Sequence, residues 1–354
     1  MKPMPLPISP ACGLALLVLG SFGCGAGSAP GDDRFQNLLR PPEAVTVVTE
    51  RGTVRLEPAA GVWRGGGIEV AAAVRNEGLE VELSAPDAAV KSLILAWNGA
   101  WPADWKYLGD AWERSYGDLE WRPLDAKRVM PWYFLASDGR ATHGYGVMTG
   151  AAAMCAWEAA PEGVRLTADV RCGGAGVRLG GRRLAVCTIV CRRGEAGETP
   201  FAAARAFCRR MCPAPRLPKE PVYGFNDWYC DYGKNSAGSV LDYARFVVRL
   251  SPMGGNRPFM VVDDGWQATG GGTGYGGPWD RGNAKFPSMP GLAAAIRAAG
   301  ARPGIWIHLL TVQEGQPAGW RLKHDPRILD ISLPEVRAYV KETVARLRGW
   351  GYEL

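Results

Sequence analysis

Two patterns of apolar and polar positions divide the chain. Between residues 35 and 212 the two kinds alternate in short runs. Examples are Thr46-Val47-Val48-Thr49, Val54-Arg55-Leu56-Glu57, Leu79-Glu80-Val81-Glu82-Leu83, Val164-Arg165-Leu166-Thr167-Ala168-Asp169-Val170 and Leu184-Ala185-Val186-Cys187-Thr188-Ile189-Val190. A period of two sends successive side chains to opposite faces of a strand. Gly61, Gly78, Pro86, Gly163 and Gly173-Gly174 punctuate these runs. Short strands broken by turn residues predict an antiparallel β-sandwich over residues 35–212. One helix closes the region: Thr199 caps it, Pro200 suits its first turn, and residues 201–211 form its body.

Residues 213–221, Pro-Ala-Pro-Arg-Leu-Pro-Lys-Glu-Pro, read as a stiff linker and a domain boundary. Beyond it the pattern becomes strand, loop, helix. A first strand spans 222–225, and a helix spans 240–250 with Val240, Leu241, Ala244, Val247 and Val248 on one stripe. Residues 258–262, Pro-Phe-Met-Val-Val, read as a strand buried on both faces. A helix over 291–299, stopped by Gly300, leads to a third strand over 301–308. Ser332 and Glu335 fit a capping box for the last helix, whose stripe is Val336, Val340, Val344 and Leu347 and whose stop is Gly349. Tyr352-Glu353-Leu354 begins a further element. Alternating βα units of this kind imply a parallel sheet or barrel.

Composition narrows the function. The formal charge is +6 and Lys and Arg are scattered, which argues against nucleic acid as a partner. Fourteen tryptophans supply flat surfaces suited to sugar rings, though core packing accounts for most of them. Lys2 and the apolar run Leu14-Ala15-Leu16-Leu17-Val18-Leu19 predict a signal peptide over residues 1–24, too short to span a bilayer. Gly20-Ser21-Phe22-Gly23-Cys24 resembles a lipoprotein signal, with Cys24 as the lipidated residue; Ser21 stands where such signals usually carry Leu, which keeps ordinary cleavage open. Residues 25–34 read as a flexible tether. The expected location is therefore exported: periplasmic, outer-membrane-anchored or extracellular, with membrane contact only through a lipid. Without Cys12 and Cys24, seven cysteines remain: Cys155, Cys172, Cys187, Cys191, Cys208, Cys212 and Cys230. Their spacing lacks the CxxC form of a metal site, so small buried hydrophobes are the expected role, with disulfides permitted in an exported chain.

Candidate chemistry gathers where the second strand ends, at Asp263-Asp264-Gly265-Trp266. Parallel strands open at their C-terminal ends toward what the sheet binds. Two adjacent carboxylates can accept paired hydroxyls there, and Trp266 can offer a face to a ring; a plain strand-to-loop turn fits the same residues. The patch Trp97-Asn98-Gly99-Ala100-Trp101-Pro102 with Trp105 to Trp112 is either a ligand-reaching loop or local core. His143 and His324 read as surface residues. The glycine-rich stretch Gly270-Gly271-Gly272-Thr273-Gly274-Tyr275-Gly276-Gly277 precedes Pro278-Trp279, not a helix start with Lys-Ser/Thr, and reads as a lid over a site and not a phosphate loop.

Five motifs in order carry a resemblance: Asn226-Asp227-Trp228-Tyr229, Asp263-Asp264-Gly265-Trp266, Lys285-Phe286-Pro287, Arg302-Pro303-Gly304-Ile305-Trp306 and Trp350-Gly351-Tyr352-Glu353-Leu354. Over residues 220–354 the chain resembles the α-galactosidases (melibiases) of glycoside hydrolase family 36. The resemblance implies an N-terminal β-sandwich followed by a (β/α)8 barrel, of which 222–354 would supply about three and a half βα units where a closed barrel takes eight strands. It implies retaining hydrolysis of α-galactosides, an oligosaccharide or glycan as substrate, and neither cofactor nor metal. Asp263 and Asp264 would accept galactose hydroxyls, Trp306 would wall the sugar, and Trp228 and Tyr229 would line it. His308 departs from the commoner residue after Gly-Ile-Trp, and is either a sugar contact or strand-end packing. The family's nucleophile follows strand four in a Lys-x-Asp and its acid/base follows strand six; both are expected beyond Leu354, so no residue of this sequence is assigned a catalytic role. The expectation is a fragment with negligible activity. The competing expectation is a non-catalytic envelope lipoprotein that binds glycans.

Overall fold

The structure, a computed structural model, describes residues 34–112, 119–171, 174–252, 254–269 and 276–354. The signal peptide with Cys24, nearly all of the tether, Cys172 and the first six residues of the glycine-rich loop lie outside them.

Among the described residues, fourteen strands precede the first helix. They are β1 (Ala44–Thr49), β2 (Gly52–Ala59), β3 (Val62–Gly65), β4 (Ile68–Arg75), β5 (Gly78–Ser84), β6 (Ala89–Asn98), β7 (Lys106–Gly109), β8 (Met130–Pro131), β9 (Tyr133–Ser137), β10 (Thr142–Val147), β11 (Met154–Ala160), β12 (Gly163–Asp169), β13 (Val177–Arg178) and β14 (Arg183–Arg192). The five alternating runs named above lie in strands, save that Val170 falls one residue past β12, and in β1 the alternation holds residue by residue, with Val45, Val47 and Thr49 buried. The strands do not form two separate sheets. They form one antiparallel sheet in the order β7-β9-β10-β14-β5-β4-β3-β2-β1-β6-β12-β11-β8, with β13 beside β6. Strand β1 joins what would be two layers, because it pairs with β2 on one edge and β6 on the other. The sheet also nearly closes. Its last strand, β8, runs through Trp132, at φ 65°, straight into β9, second from the opposite end. A period of two specifies which side chains face inward; it does not specify pairing partners, so the closure was not readable.

The aromatic patch belongs to the interior of this sheet. Trp97, Trp101, Trp105 and Tyr107 are buried, and the Trp101 and Tyr145 rings meet edge-on with centroids 5.0 Å apart. Of the aromatic residues in that patch, only Trp112 stands exposed. His143 is a correction too. It is 6% exposed, stacks on Trp105 at 5.4 Å, and accepts a 3.0 Å hydrogen bond at Nδ1 from the Gly194 N–H. The neighbouring Gly144 made it look like a turn, but that glycine lies under a ring: a Cβ there would fall 2.4 Å from Phe207. Phe207 sits on α1 (Pro200–Met211), which Thr199 caps by accepting from the Ala202 N–H, and α1 packs Phe207 and Met211 against Leu135 and Val190.

Residues 213–221 are exposed throughout and carry no helix or strand. After them come β15 (Gly224–Asn226), α2 (Trp228–Asp231), α3 (Ala237–Leu250), β16 (Phe259–Val262), α4 (Met289–Ala298), β17 (Arg302–Ile305) and α5 (Pro334–Trp350). Strands β15, β16 and β17 form a parallel sheet in that order, with Phe225 opposite Met260 and Val261 opposite Gly304. The chain's last residues extend it: the Glu353 N–H donates to Pro303 O and the Ile305 N–H to Leu354 O, each at 2.8 Å, the spacing of a parallel neighbour beginning beside β17. The core between sheet and helices holds Val240, Ala244, Met260, Val262, Leu292 and Ile296. Residues 36–354 make one compact unit. No helix among the described residues is long and apolar enough to cross a membrane.

The last helix departs from its expected ends. Leu333 occupies its N-cap without a side-chain bond, because Pro334 takes the first helical position and leaves Ser332 one residue too early. Ser332 instead donates its N–H to Asp330 Oδ1 at 2.9 Å, so the expected capping box does not form. The stop is Gly351 at φ 104°, not Gly349. The buried line is Val336, Thr343 and Leu347, seven and eleven residues apart; Val344 turns 100° away from it and is 42% exposed.

Candidate functional site

The three parallel strands end side by side, and each hands the chain to polar residues at the same level. β15 ends in Asn226 and is followed by Asp227, after β16 come Asp263 and Asp264, and after β17 comes Trp306. The ladder continues one step past the strands, since the Trp306 N–H donates to Val262 O at 2.8 Å. Trp306 therefore borders Asp263 in register. This is the C-terminal edge of the sheet, where a parallel α/β arrangement presents its ligand-binding groups.

Asp263 and Asp264 are 8% and 3% exposed, so both need partners. Asn226 Nδ2 donates to Asp263 Oδ2 at 2.5 Å, and the Asp264 N–H donates to Asp263 Oδ1 at 2.7 Å. Gln267 Nε2 donates to Asp264 Oδ1 at 2.6 Å, while Gln267 Oε1 accepts from the Gly265 N–H at 3.0 Å. These fixed donors orient each acid, and a carboxylate can accept about four hydrogen bonds in all. The turn that places them depends on Gly265, at φ 116°; a Cβ there would lie 2.4 Å from Asn235 Oδ1.

A third carboxylate, unassigned from the sequence, lies beneath the pair. Asp227 has no exposed surface. Its Oδ1 accepts from the Asp263 N–H at 2.8 Å and its Oδ2 from Asn235 Nδ2 at 3.1 Å. Asn235 Nδ2 also reaches Asp263 O at 3.2 Å, while Asn235 Oδ1 has no hydrogen-bond partner. Burial drives the Asp227 carboxyl up to about 6; the bonds from Asp263 and Asn235 pull the other way and lose. Asp227 was legible in principle, because it follows the end of β15 as Asp263 follows the end of β16. Asn235 and Gln267 lie in loops and left no such signal.

The expected aromatic residues separate. Trp266 is fully buried, its Nε1 donates to Trp306 O at 2.9 Å, and its ring packs beside Trp279 and Trp350 with centroids 5.7 and 6.3 Å away. Asp264 and Gly265 swing the chain back so that Trp266 points into the core. It therefore offers no face to a ligand, contrary to the expectation. Trp306 is half-buried and stacks on the exposed His308 at 6.2 Å with planes 13° apart; His308 Nδ1 is in turn bonded to Thr311 Oγ1. Trp228 and Tyr229 lie on the short helix α2 rather than on strand one. Trp228 is half-buried, and Tyr229 is 67% exposed, meeting Tyr232 edge-on at 6.2 Å. Among the described residues, no group of three or more His, Cys, Asp or Glu side chains is arranged to hold a metal ion.

No family model matches the sequence, and neither does any curated protein. Solved structures do match the fold. The family 36 α-galactosidase AgaB of Geobacillus stearothermophilus superposes with a TM-score of 0.52 at 17% identity, covering 86% of this chain and 53% of that one. The α-galactosidase TtGalA of Thermus thermophilus, solved with p-nitrophenyl α-D-galactopyranoside, gives 0.50 at 17%, covering 87% and 62%. The galactosidase domain of the α-galactosidase–sucrose kinase AgaSK gives 0.52 at 15%, covering 91% and 57%. The chain thus spans between about half and two thirds of the length of each. Over the part it covers, it is built like the family 36 α-galactosidases, a β-rich region followed by parallel βα units.

Proposed function

We propose that residues 222–354 form the hydroxyl-binding side of a sugar site in a retaining, α-galactosidase-like glycoside hydrolase. The observation that carries this reading is the pair of adjacent, internally braced carboxylates at the C-terminal end of the central parallel strand, in a fold similar to α-galactosidases. Each acid has donors that fix its orientation, and two adjacent carboxylates suit two neighbouring hydroxyls of one ring. Trp306, held in register beside Asp263, would wall the apolar face of the ring, and His308 stacked on it would mark the site's edge. Trp228 and Tyr229 would line the opposite side from α2.

In this reading the family's nucleophile and acid/base belong to strands four and six of a (β/α)8 barrel, and no carboxylate within residues 1–354 takes either role. Retaining hydrolysis needs both, with a glycosyl-enzyme intermediate between the two steps. Incubating the 354-residue protein with p-nitrophenyl α-galactopyranoside tests the assignment. It predicts no p-nitrophenol release above the blank, together with galactose binding at millimolar concentrations; measurable turnover by these residues alone would overturn it. The proposal extends to the N-terminus, where residues 1–24 would direct export and Cys24 would carry a lipid. The mass of the mature N-terminal peptide from a membrane fraction checks that step.

A further inference from the structure

Asp263 is the first residue past β16, and its main chain has left the ladder there: the last bond to the β17 side runs from the Trp306 N–H to Val262 O. Its N–H and C=O are held instead by side chains from the segment between β15 and α3. Asp227 Oδ1 accepts from the Asp263 N–H at 2.8 Å. Asn235 Nδ2 reaches both Asp263 O, at 3.2 Å, and Asp227 Oδ2, at 3.1 Å. Carboxylate and carboxamide thus clamp the backbone of one residue. Asn235 also bears on the far side of the acid pair, because its Oδ1 lies 2.4 Å from where a Cβ on Gly265 would fall.

As packing alone this clamp is unfavourable. Asp227 has no exposed surface and Asn235 is 1% exposed, yet Asn235 Oδ1 finds no hydrogen-bond partner among the described residues. A buried carboxylate and an unpaired buried oxygen each weaken a fold. Groups of this kind collect where a ligand has to be oriented. Like charge surrounds the acid: Asp263 faces it from the end of β16, and Asp231 from its own helix α2. Asp231 accepts in turn from the hydroxyls of Tyr243 and Ser239 on α3, at 2.9 and 3.2 Å. Lys285, ahead of α4, donates to Gly233 O at 3.0 Å. Burial first, with the two neighbouring acids adding to it, lets Asp227 keep its proton up to about 6.

Resting on the sugar-site reading above, we propose that Asp227, with Asn235, is a positioning residue: it sets Asp263 against the sugar hydroxyls through the main chain, and its charge state governs how tightly the site holds a galactoside. The sign follows from desolvation. A ring seated on Asp263 and Asp264 excludes water from the mouth and makes a further negative charge beneath Asp263 less favourable. Binding therefore favours neutral Asp227 and raises its proton affinity above that of the empty site. By linkage, the added affinity is complete below about pH 6 and is lost as the pH rises through the value of the occupied site.

The test measures the dissociation constant of methyl α-galactoside by saturation-transfer difference NMR on the full 354-residue chain, from about pH 5 to about pH 8. Wild type should bind about three- to tenfold more weakly at the alkaline end. D227N keeps an acceptor for the Asp263 N–H and has no proton to lose, so its profile should be flat. His308, beyond Trp306, is present in both proteins, so a slope that it caused would survive in the variant. N235A serves where D227N does not fold: it removes a donor that favours the charged Asp227 and should move the midpoint to higher pH. A wild-type profile that is flat or tightens toward alkaline pH, a D227N slope equal to it, or an unmoved midpoint in N235A overturns the proposal and leaves the sugar site standing. Absence of transfer to the galactoside at every pH overturns the sugar-site reading, and the proposal with it.

Discussion

Asp227 is the residue on which the site's pH behaviour depends. Its carboxyl titrates near 6 in the folded chain, whereas an unfolded aspartate titrates near about 3.9. The folded state therefore holds a proton that the unfolded state has released over this window. The stabilisation is complete below about pH 4 and is lost as the pH rises toward 6, amounting to about 2–3 kcal/mol in all. Asp227→Asn removes that titration, so the difference in melting temperature between wild type and variant should change between pH 4 and 6 and stay flat from 6.5 to 8; equal slopes for both proteins would refute the assignment. Trp266 gives a second residue-scale expectation. Trp266→Phe leaves Trp306 O without its buried donor and should cost about 1–3 kcal/mol, while Trp266→Ala opens a cavity and should cost about 3–5 kcal/mol, both measured by urea unfolding. The acid pair was legible because a strongly apolar strand stops dead at two carboxylates. The place of Trp266 was not, because the positive φ of Gly265 redirects the chain by an amount that spacing does not encode.

At the scale of elements, periodicity located the three parallel strands and helices α3, α4 and α5 of residues 222–354, missed the short α2, and misplaced several ends. Helix α3 starts three residues before its expected first turn because Ser236 and Ser239 cap one another, a box with serine in place of the usual acid. Helix α5 shows the reverse, a cap expected at Ser332 and supplied by none. An uncapped N-terminus is an opportunity. Leu333→Asp would place an acceptor at the N-cap and a negative charge at the positive end of the helix dipole, and should stabilise the chain by about 1 kcal/mol. A higher urea midpoint with an unchanged slope checks this; a lower midpoint would show that the Leu333 side chain contributes more by packing than a cap does. The C-terminal end is better secured. Arg297 and Arg302 both reach Glu353, at 3.2 and 2.9 Å, and Arg297 also bonds Gly351 O, which holds the last residues against β17.

For the whole molecule, strand content and the change at residues 213–221 were readable, while the single nearly closed sheet was not. That outcome depends on long-range pairings such as β14 with β5 and β1 with β6, which local alternation leaves open. The parallel sheet has a different weakness. Among the described residues β15 pairs only with β16, and the segment 352–354 only with β17. Unpaired parallel edges invite association. The 354-residue protein expressed alone should therefore associate in a concentration-dependent way by light scattering at micromolar concentrations. A stable monomer whose residues 222–354 unfold in one cooperative transition would contradict this.

The central claim is that Asp263 and Asp264 receive sugar hydroxyls at the mouth of that sheet. Saturation-transfer difference NMR on the 354-residue protein, with methyl α-galactoside and methyl α-glucoside at millimolar concentration, tests it most directly and needs little protein. The account predicts transfer to the galactoside ring protons, weaker transfer to the glucoside, and loss of the galactoside signal in Asp264→Asn. Absence of transfer to the wild type, or an undiminished signal in the variant, would contradict it.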